Sequence, residues 1–397
     1  MERVAIVAAV RTPIGRFLGA LADLTAADLG VAATKAAIER SRVPAADIDE
    51  LIYGCARQAG GGPNVARQVL IRSGIPRERP AFTVNQACGS GLQSIILAGE
   101  HIRSGKSRFV VAGGTESMSR VPYLLDRART GYRLGNAALV DGMYRDGFLD
   151  PICGLLMGET AERLADQYKI GREEQDQFAL ESQRRAGAAA QARRFDDEMA
   201  PVTVKDRKGQ ERAVTADEHP RPDTTLAEIG KLPPVFREGG TVHAGNSSGI
   251  TDGASSLVLA AESAARDRGL EPQAWVGESE VVGVDPSIMG IGPVPATRNL
   301  LARTRRKLED FDLIELNEAF AAQVLACDRE LRMDRARLNV NGGAIALGHP
   351  IGCTGARIVT TLVHEMKRRG AARGLATLCV SGGLGIALEL NEGGSTR

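Results

Sequence analysis

Residues 32–56 read AATKAAIERSRVPAADIDELIYGCA, and residues 295–319 read PATRNLLARTRRKLEDFDLIELNEA. The two stretches align without a gap at a constant offset of 263 residues. Identical pairs at this offset include Ala33/Ala296, Thr34/Thr297, Arg40/Arg303, Asp47/Asp310, Asp49/Asp312 and Ala56/Ala319. Each stretch predicts a helix, a turn with acidic residues and then a strand. The chain therefore contains an internal repeat, and the repeat decides the fold.

The correspondence continues beyond these two stretches. Residues 84–96 (VNQACGSGLQSII) match residues 340–358 (VNGGAIALGHPIGCTGARI), and each predicts a strand end, a glycine-rich turn and a helix. A further strand follows each helix, in SRFVVAGG and in GLATLCVSGG. Four matching elements in the same order indicate a duplicated α/β fold of two βαβ-rich halves with mostly parallel sheets.

The duplication divides the chain into three predicted parts. The N-terminal half spans 1–118 and is completed by 249–270, and the C-terminal half spans 271–397. The stretch 119–248 carries many charges and two helical patterns, near 158–168 and 172–194. Structured insertions at the ends of parallel strands often cover a functional site. We therefore expect 119–248 to be a loop domain over the site.

Composition and charge exclude several classes of protein. The 397 residues include 50 basic and 49 acidic side chains, which gives no argument for binding nucleic acid or membranes. No apolar run approaches the roughly 20 residues that span a bilayer. MERVAIVAAVRTP at the N-terminus predicts a first strand and no signal peptide, so a cytoplasmic location is expected. Six cysteines without a CxxC pair argue against zinc and thioredoxin-like motifs.

Cys88 is the candidate nucleophile, although a lone cysteine is more often a small buried hydrophobe. It precedes a helix predicted from about Gly89 to Ser104, and the positive end of a helix dipole favours the thiolate. His349 lies in the matching glycine-dense loop of the second half. If the halves pair about a pseudo-twofold axis, the two loops face each other, as a cysteine and its histidine base require.

Two further candidates stand at predicted strand ends. Cys379 ends the strand GLATLCV and, taken alone, is most simply a buried strand cysteine. Asn317 and Glu318 in LIELNEAF stand at the strand end that the repeat matches to Gly54 and Cys55, and a structural role in a turn stays open for both. Polar groups at several strand ends of a duplicated topology nevertheless indicate an α/β active site.

Five motifs in this order, CGSGLQS, AGNSSGITDGA, LNEAFAAQ, NVNGGAIALGHPIG and GLATLCVSGGLG, resemble the thiolase superfamily. The resemblance runs from the first strand to Leu390, and GVDPSIMGIGPVPA and MKRRGAARGLATLC are similar to acetyl-CoA acetyltransferases. It implies a five-layer αβαβα core of two duplicated halves with a loop domain over the site. It also implies reversible condensation of two acetyl-CoA to acetoacetyl-CoA and CoA.

The resemblance assigns roles to individual residues. Cys88 would be the acylated nucleophile, His349 would activate it and help to bind the thioester oxygen, and Cys379 would be the acid and base at the α-carbon. Asn317 would orient a water in one oxyanion hole. The residues expected along coenzyme A are Ser248, Arg221, Met157, Ala319 and Phe320. Coenzyme A and acyl-CoA are substrates, and no metal and no other cofactor is expected.

Two residues depart from the family pattern. Leu156 stands where many acetoacetyl-CoA thiolases carry histidine, which removes a polar contact to coenzyme A. Ser381 replaces one of the glycines that commonly follow Cys379, and a backbone N–H donor at this position would survive the change. Leu156 leaves open the alternative of a broader 3-ketoacyl-CoA thiolase of fatty-acid or aromatic degradation.

Two other classes are alternatives. A decarboxylating ketoacyl synthase would share the topology, but its Cys-His-His or Cys-His-Asn set gives Cys379 no role. A catalytically silent CoA-binding or scaffold protein predicts a lost nucleophile or base, and both are present. The resemblance further implies small-molecule acyl-CoA partners, no nucleic acid, no membrane, and a homo-oligomer, either dimer or tetramer.

Overall fold

The computed structural model describes residues 2–205 and 208–393. The strands are β1 (Val4–Arg11), β2 (Gly15–Arg16), β3 (Glu50–Gly54), β4 (Ala81–Val84), β5 (Phe109–Ser117), β6 (Tyr123–Leu124), β7 (Val140–Asp141), β8 (Val202–Lys205), β9 (Glu211–Val214), β10 (Thr251–Ala261), β11 (Ala274–Gly283), β12 (Leu313–Leu316), β13 (Arg373–Val380) and β14 (Leu384–Glu392). The helices are α1 (Ala26–Ser41), α2 (Val65–Arg72), α3 (Ser90–Arg103), α4 (Met157–Tyr168), α5 (Arg172–Gln191), α6 (Leu226–Ile229), α7 (Glu262–Asp267), α8 (Pro293–Thr304), α9 (Ala321–Leu331), α10 (Ala344–Leu347) and α11 (Ile351–Arg369).

One mixed sheet organises the described residues, in the order β12-β13-β14-β11-β1-β10-β5-β3-β4, with β2 paired to β10. The pairs β3/β4, β3/β5 and β12/β13 are parallel, whereas the other pairs of the sheet are antiparallel. The prediction of mostly parallel sheets is therefore wrong. The turn 381–383 between β13 and β14 is too short for the crossover that parallel neighbours need, so β14 runs back beside β13.

The two halves of the sheet repeat the same strand order outward from the pair β1/β11. The order β1-β10-β5-β3 on one side corresponds to β11-β14-β13-β12 on the other. Single-turn 3-10 helices at Ala45–Asp47 and Leu308–Asp310 also lie 263 residues apart. An isolated parallel bridge from Ile314 to Leu338 stands where β4 pairs with β3 in the first half. The predicted duplication is confirmed, and the boundaries of the three predicted parts stay a prediction.

Helices pack between the two halves of the sheet and on their outer faces. The central pair α3 and α11 contact each other, with α3 on β3 and β5 and α11 on β10 and β13. On the outside, α1 packs on β1 and β10, and α8 packs on β11 and β14. The stack from α1 to α8 is therefore helix, sheet, helix pair, sheet and helix, which is the expected five-layer αβαβα order.

Glycines bring the first turns of α3 and α11 into direct contact. A Cβ on Gly355 would lie 2.3 Å from the Leu92 nitrogen, and one on Gly91 would lie 2.8 Å from the Ala356 nitrogen. Any side chain at these positions would push the two helices apart. The starts of both central helices, and the turns that precede them, are thereby held together.

The segment between β5 and β10 packs over the core and is joined to it by a buried ion network. Arg11 of β1 is fully buried, and its guanidinium binds the carboxylates of Glu198 and Asp217 at 2.5 and 2.7 Å. Helices α4 and α5 of this segment contact α9 of the second half. Among the described residues, no helix combines the length and the apolar composition that crossing a membrane requires.

Candidate active site

Cys88 lies in a tight turn between β4 and α3. Ala87 adopts φ +44°, a left-handed conformation that residues with a Cβ seldom adopt. Asn85 Oδ1 accepts the Ala87 N–H at 3.0 Å, and the Gln86 carbonyl accepts the Gly89 N–H at 2.9 Å. Strained residues of this kind cluster at functional sites. The turn presents Cys88 directly in front of the first turn of α3.

Two backbone N–H groups lie near the Cys88 sulfur. Its side chain is half-buried and packs against a cluster that includes Ile351, the first residue of α11, and Met118. The backbone N–H groups of Ser381 and of Cys88 itself are close enough to the sulfur to lower the pKa of the thiol. Two N–H groups that converge on one atom can also hold the oxygen of an acyl group on that atom. Serine at position 381 supplies this N–H as glycine would.

Burial raises the pKa of the Cys88 thiol above its ordinary value. The Arg57 cation and the two N–H groups oppose this rise, and the Glu116 carboxylate adds to it. The helix dipole that favours the thiolate is therefore not the only influence on Cys88, because desolvation of the charged form outweighs the favourable groups. Cys88 rests as a thiol and needs a base.

His349 offers an unprotonated nitrogen for this purpose. Its buried ring places Nδ1 2.6 Å from Thr354 Oγ1, and the Thr354 hydroxyl donates to the Pro350 carbonyl at 3.0 Å. The Thr354 oxygen must therefore accept the proton of Nδ1, which leaves a lone pair on Nε2. Nε2 is buried and has no hydrogen-bond partner among the residues that the structure describes. Burial, together with Arg357 and Arg57, lowers the pKa of His349 to about 3, so the ring is neutral at pH 7.

Cys379 reaches the site from β13. Gly89, the residue after Cys88, lies against Val380, the residue after Cys379. A Cβ on Gly89 would lie 3.0 Å from Val380 Cγ2. Burial raises the pKa of the Cys379 thiol well above its ordinary value, and charge on Cys88 raises it further. The two thiols are therefore close enough to interact electrostatically, and ionisation of one opposes ionisation of the other.

Asn317 follows β12, the strand beside β13. Its backbone N–H donates to the Thr377 carbonyl at 3.0 Å, two residues before Cys379. The side chain is 1% exposed, and neither Nδ2 nor Oδ1 has a protein partner. Buried amides are normally hydrogen-bonded. This amide is therefore available to bind a water or a substrate oxygen.

Most of the residues expected along coenzyme A lie together. Met157, Ala319 and Phe320 are buried in one hydrophobic cluster that also contains Cys379. The Ser248 N–H donates to the Ala319 carbonyl at 2.9 Å, which fixes Ser248 at the edge of this cluster. The structure thus brings four of the five residues to the side of the site that Cys379 faces.

Arg221, the fifth, is exposed and lies at the rim. Its backbone N–H donates to Gln183 Oε1 at 2.7 Å. The neighbouring His219 packs on Gly249, where a Cβ would lie 2.0 Å from Nε2 of the ring. Burial lowers the pKa of His219, and the Arg221 charge lowers it further. Arg221 is therefore close to the Ser248 loop without being part of the buried cluster.

Glu116 and Arg57 shape the site and were not found from the sequence. The buried Glu116 carboxylate accepts the N–H groups of Ala56, Arg57 and Gly352 at 2.8–3.0 Å, which ties the end of β3 to the start of α11. At the repeat offset, Arg57 corresponds to Phe320, which is one of the residues expected along coenzyme A. Extending the repeat alignment by one residue would therefore have marked Arg57 as a candidate site residue.

A cavity of about 420 Å³ opens beside Cys88. Its wall includes the flanking residues Ala87 and Ser381, the polar Arg57, and the apolar Leu149 and Ile152. Leu156 is joined to Leu149 by an isolated antiparallel bridge, so it stands behind this wall. Small-molecule pockets are typically about 300–1,000 Å³, so the cavity is large enough for an acyl group and part of its carrier.

Two family models match the chain, the thiolase N-terminal domain over residues 4–263 and the thiolase C-terminal domain over residues 270–392. An acetyl-CoA acetyltransferase of Pseudomonas aeruginosa is 50% identical over 390 residues, which cover 98% of this chain and 99% of that protein. The crystal structure of the Bacillus anthracis acetyl-CoA acetyltransferase is similar with a TM-score of 0.97 and 47% identity, over 99% of both chains. That of human mitochondrial 3-ketoacyl-CoA thiolase in complex with CoA has a TM-score of 0.95 and 45% identity, over 98% of both chains.

Proposed function

This chain belongs to the thiolase family, and we propose that it condenses two acetyl-CoA to acetoacetyl-CoA and CoA, or runs the reverse thiolysis. It is an acyltransferase. The observation that carries the proposal is a thiol, Cys88, that lies near two backbone N–H groups and interacts electrostatically with a second thiol, Cys379. The neutral His349, whose Nε2 has no partner among the described residues, stands two residues before Ile351 of the cluster against which Cys88 packs. Relatives of about half identity over the whole chain are acetyl-CoA acetyltransferases, which supports the same activity.

The first half-reaction forms an acyl-cysteine. The Cys88 proton passes to Nε2 of His349, and the sulfur attacks the thioester carbonyl of acetyl-CoA. The carbonyl oxygen gains charge and is held by the N–H groups of Ser381 and Cys88. The bond to the departing sulfur then breaks, and the CoA thiolate takes the proton from His349. The product is acetyl-Cys88 and free CoA.

The second half-reaction forms the carbon–carbon bond. The Cys379 proton first passes to Nε2 of His349, and the Cys379 thiolate then takes a proton from the α-carbon of a second acetyl-CoA. A water on the Asn317 amide and the newly formed Nε2–H of His349 would support the enolate oxygen. The α-carbon attacks the acyl carbonyl, the bond to Cys88 breaks, and Cys88 leaves as a thiolate that takes the proton from His349. Cys379 ends as the thiol that it was at the start.

The alternatives are less well supported than this reaction. The broader 3-ketoacyl-CoA thiolase is not favoured, because acetyl-CoA acetyltransferases match the chain at 50–51% identity, whereas the human mitochondrial 3-ketoacyl-CoA thiolase matches it at 45%. A ketoacyl synthase would leave Cys379 beside the reactive thiol without a function. A silent CoA-binding protein would have no need for a histidine tautomer set by Thr354.

The reaction as proposed needs no metal and no redox cofactor, because a thiolate and N–H donors supply the nucleophile and the charge stabilisation. Coenzyme A and acyl-CoA are its substrates and its proposed partners. Dialysis against EDTA is therefore expected to leave the rate unchanged. A loss of rate that zinc or magnesium restores would contradict this part of the proposal.

We also propose a cytoplasmic homo-oligomer, either dimer or tetramer. Large apolar side chains are exposed along 123–139, among them Tyr123, Leu139 and Leu134, the last 97% exposed. Exposed apolar groups of this density typically mark a protein interface. Light scattering is expected to give a mass two or four times 42.1 kDa. A monomer would contradict the assembly, and cell fractionation tests the compartment.

Thiolysis of acetoacetyl-CoA by CoA, followed as loss of enolate absorbance, is the direct test. The same assay with a longer 3-ketoacyl-CoA compares chain lengths, and Cys88→Ala is the control for the site. We expect rapid turnover of acetoacetyl-CoA, slower turnover of the longer substrate, and none by the variant. Equal or faster turnover of the longer substrate would favour the broader thiolase. Activity in Cys88→Ala would refute the acyl-cysteine.

A further inference from the structure

The turn that carries the Ser381 N–H has an unusual backbone. Gly382 and Gly383 adopt φ +88° and +80°, two successive left-handed residues between β13 and β14. The Gly383 carbonyl accepts the Val284 N–H at 2.7 Å, which holds one side of the turn. Val380 and Leu384 form the last pair of the ladder, so the sheet does not fix Ser381 and Gly382.

A carboxylate from the segment between β5 and β10 holds the other side of the turn. Asp150 is 2% exposed, and its Oδ2 accepts the Gly382 N–H at 2.9 Å. Its Oδ1 accepts the Ile152 N–H at 2.8 Å and the Cys153 N–H at 3.4 Å. Within the described residues, no cation lies within ion-pair distance of Asp150. These N–H groups satisfy its charge, and hydrogen bonds to a charged acceptor are stronger than neutral ones.

We propose that Asp150 is the positioning residue of the oxyanion hole: its carboxylate anchors Gly382, so that the adjacent Ser381 N–H stays directed at Cys88. The inference rests on the proposed function for its catalytic meaning. Asp150 does not touch the reacting atoms. It acts through one peptide unit, the one that joins Ser381 to Gly382. If the Gly382 nitrogen shifts, this peptide plane rotates, and the Ser381 N–H on the preceding residue moves with the chain.

The physical consequence is a rate effect with little change in binding. A donor that points at the position of developing charge stabilises the transition state more than the bound substrate. Removal of an oxyanion-hole donor costs about 100- to 1,000-fold in kcat in other enzymes, and a misdirected donor costs less. We therefore expect Asp150→Asn to lower kcat by roughly 10- to 100-fold, with less than about threefold change in the KM for CoA.

Asp150→Asn changes the anchor with minimal change of shape. The amide must direct its NH2 either at the Gly382 N–H or at the Ile152 N–H, and in both orientations one donor faces another donor. Asp141→Asn is the matched control. Asp141 Oδ1 accepts the N–H of Met143 two residues later at 2.8 Å, as Asp150 does with Ile152, but it has no contact with the 381–383 turn.

The pH profile of Cys88 alkylation separates positioning from general structure. The Ser381 N–H is one of the groups that hold the pKa of Cys88 down, while Arg57, Glu116 and Cys379 are unchanged in the variant. Loss of the Asp150 charge in Asp150→Asn would itself lower the pKa of Cys88, so this measurement uses Asp150→Glu, which keeps the charge and displaces the carboxylate. Asp150→Glu should move the alkylation midpoint to higher pH, and Asp141→Glu should not. This readout needs no turnover, so it tests the inference even if acetoacetyl-CoA proves not to be the substrate.

A double-mutant cycle with Gly382→Ala tests whether both residues act through the same turn. An alanine Cβ at 382 would meet only Ile152 Cδ1, at 3.9 Å, so the change disfavours φ +88° without a clash. If Asp150 acts by holding this turn, the double variant should lose little more kcat than the worse single variant. If Asp150→Asn does not fold, Asp150→Glu takes its place with the same expectations.

Three results support the inference together: the loss in kcat, the shifted alkylation profile and the non-additive cycle. An unchanged alkylation midpoint in Asp150→Glu overturns it. Losses of kcat that multiply in the double variant also overturn it, because they would mean independent effects. Absence of thiolysis by the unchanged protein would refute the proposed function, while the alkylation result would still decide the role of Asp150.

Discussion

Replacement of Thr354 by valine tests how the base of the site is prepared. The two side chains have the same shape, so Thr354→Val removes the hydroxyl and leaves the packing of this fully buried residue. The Nδ1–H of His349 then loses its acceptor at 2.6 Å. Either this N–H stays buried and unpaired, or the proton moves to Nε2, where it blocks the lone pair that receives the Cys88 proton.

The size of the effect follows from the first of these outcomes. A buried donor without a partner costs about 1–3 kcal/mol. The alternative tautomer becomes favoured by up to that amount, and the reactive tautomer is correspondingly depleted. Since about 1.4 kcal/mol is tenfold in rate, acylation of Cys88 should slow by roughly 5- to 150-fold. Thr354→Ser keeps the hydroxyl and loses one methyl, so it should retain most of the rate.

The assay is a single-turnover measurement of Cys88 acylation by acetyl-CoA, with the acyl-enzyme quantified by mass spectrometry. Acylation by Thr354→Val at the rate of the unchanged protein would refute the tautomer argument. Thr354→Ser as slow as Thr354→Val would also refute it, since packing and not the hydroxyl would then be responsible. Thermal unfolding of both variants controls for loss of structure.

Four other changes test separate parts of the site. Cys379→Ser should still acylate Cys88 but lose at least about 100-fold in condensation, measured as acetoacetyl-CoA formed; near-normal condensation would assign the α-carbon base elsewhere. Arg57→Leu removes the cation that opposes the raised pKa of Cys88, so the iodoacetamide alkylation midpoint should move to higher pH; a fixed midpoint would exclude this influence. In the unfolded chain His349 binds a proton near pH 6.5, whereas the native ring, with its pKa lowered to about 3, stays neutral, so the protein loses stability as pH falls from 6.5 towards 3. In urea unfolding, His349→Asn should make the free energy of unfolding fall less steeply with decreasing pH, by up to about 1.4 kcal/mol per pH unit. Equal slopes of this free energy against pH in the two proteins would contradict the lowered pKa. Leu156→His should lower the KM for CoA severalfold with kcat unchanged, and a lower kcat alone would mean that position 156 acts on the acyl pocket.

The repeat made the duplication predictable, but not the direction of the strands. Ala33, Asp47 and their partners at the 263-residue offset are local signals, and they predicted the helix, turn and strand in both halves. Whether a strand runs parallel or antiparallel to its neighbour depends on the length of the connection and on where the chain re-enters the sheet after an insertion. β10 follows more than a hundred residues of inserted chain and then pairs antiparallel with both β1 and β5. The hydrophobic pattern of a strand alone does not indicate whether it pairs parallel or antiparallel.

The motifs located the reactive groups, but their electrostatics came from residues distant in sequence. The helix dipole favours a thiolate at Cys88, whereas the thiol packs against a cluster that includes Ile351 and Met118, and its burial raises its pKa. Asp150 lies 232 residues before the Gly382 that it anchors, inside a segment without a catalytic motif. Contacts of this kind are produced by the fold, so they become visible only when the halves are assembled.

The two thiols together impose an order on the proposed reaction. Burial disfavours a charge on either sulfur, and a charge on Cys88 raises the pKa of Cys379 further. While Cys88 is free, it competes with Cys379 for the single negative charge that the site can hold. A charge forms on free Cys88 when His349 takes its proton, and acylation removes the thiol that can carry this charge, so Cys379 ionises more easily once the acyl group is in place. The base for the α-carbon is thus strengthened by formation of the acyl-enzyme that the carbanion must attack, and proton removal before acylation is disfavoured by the same interaction.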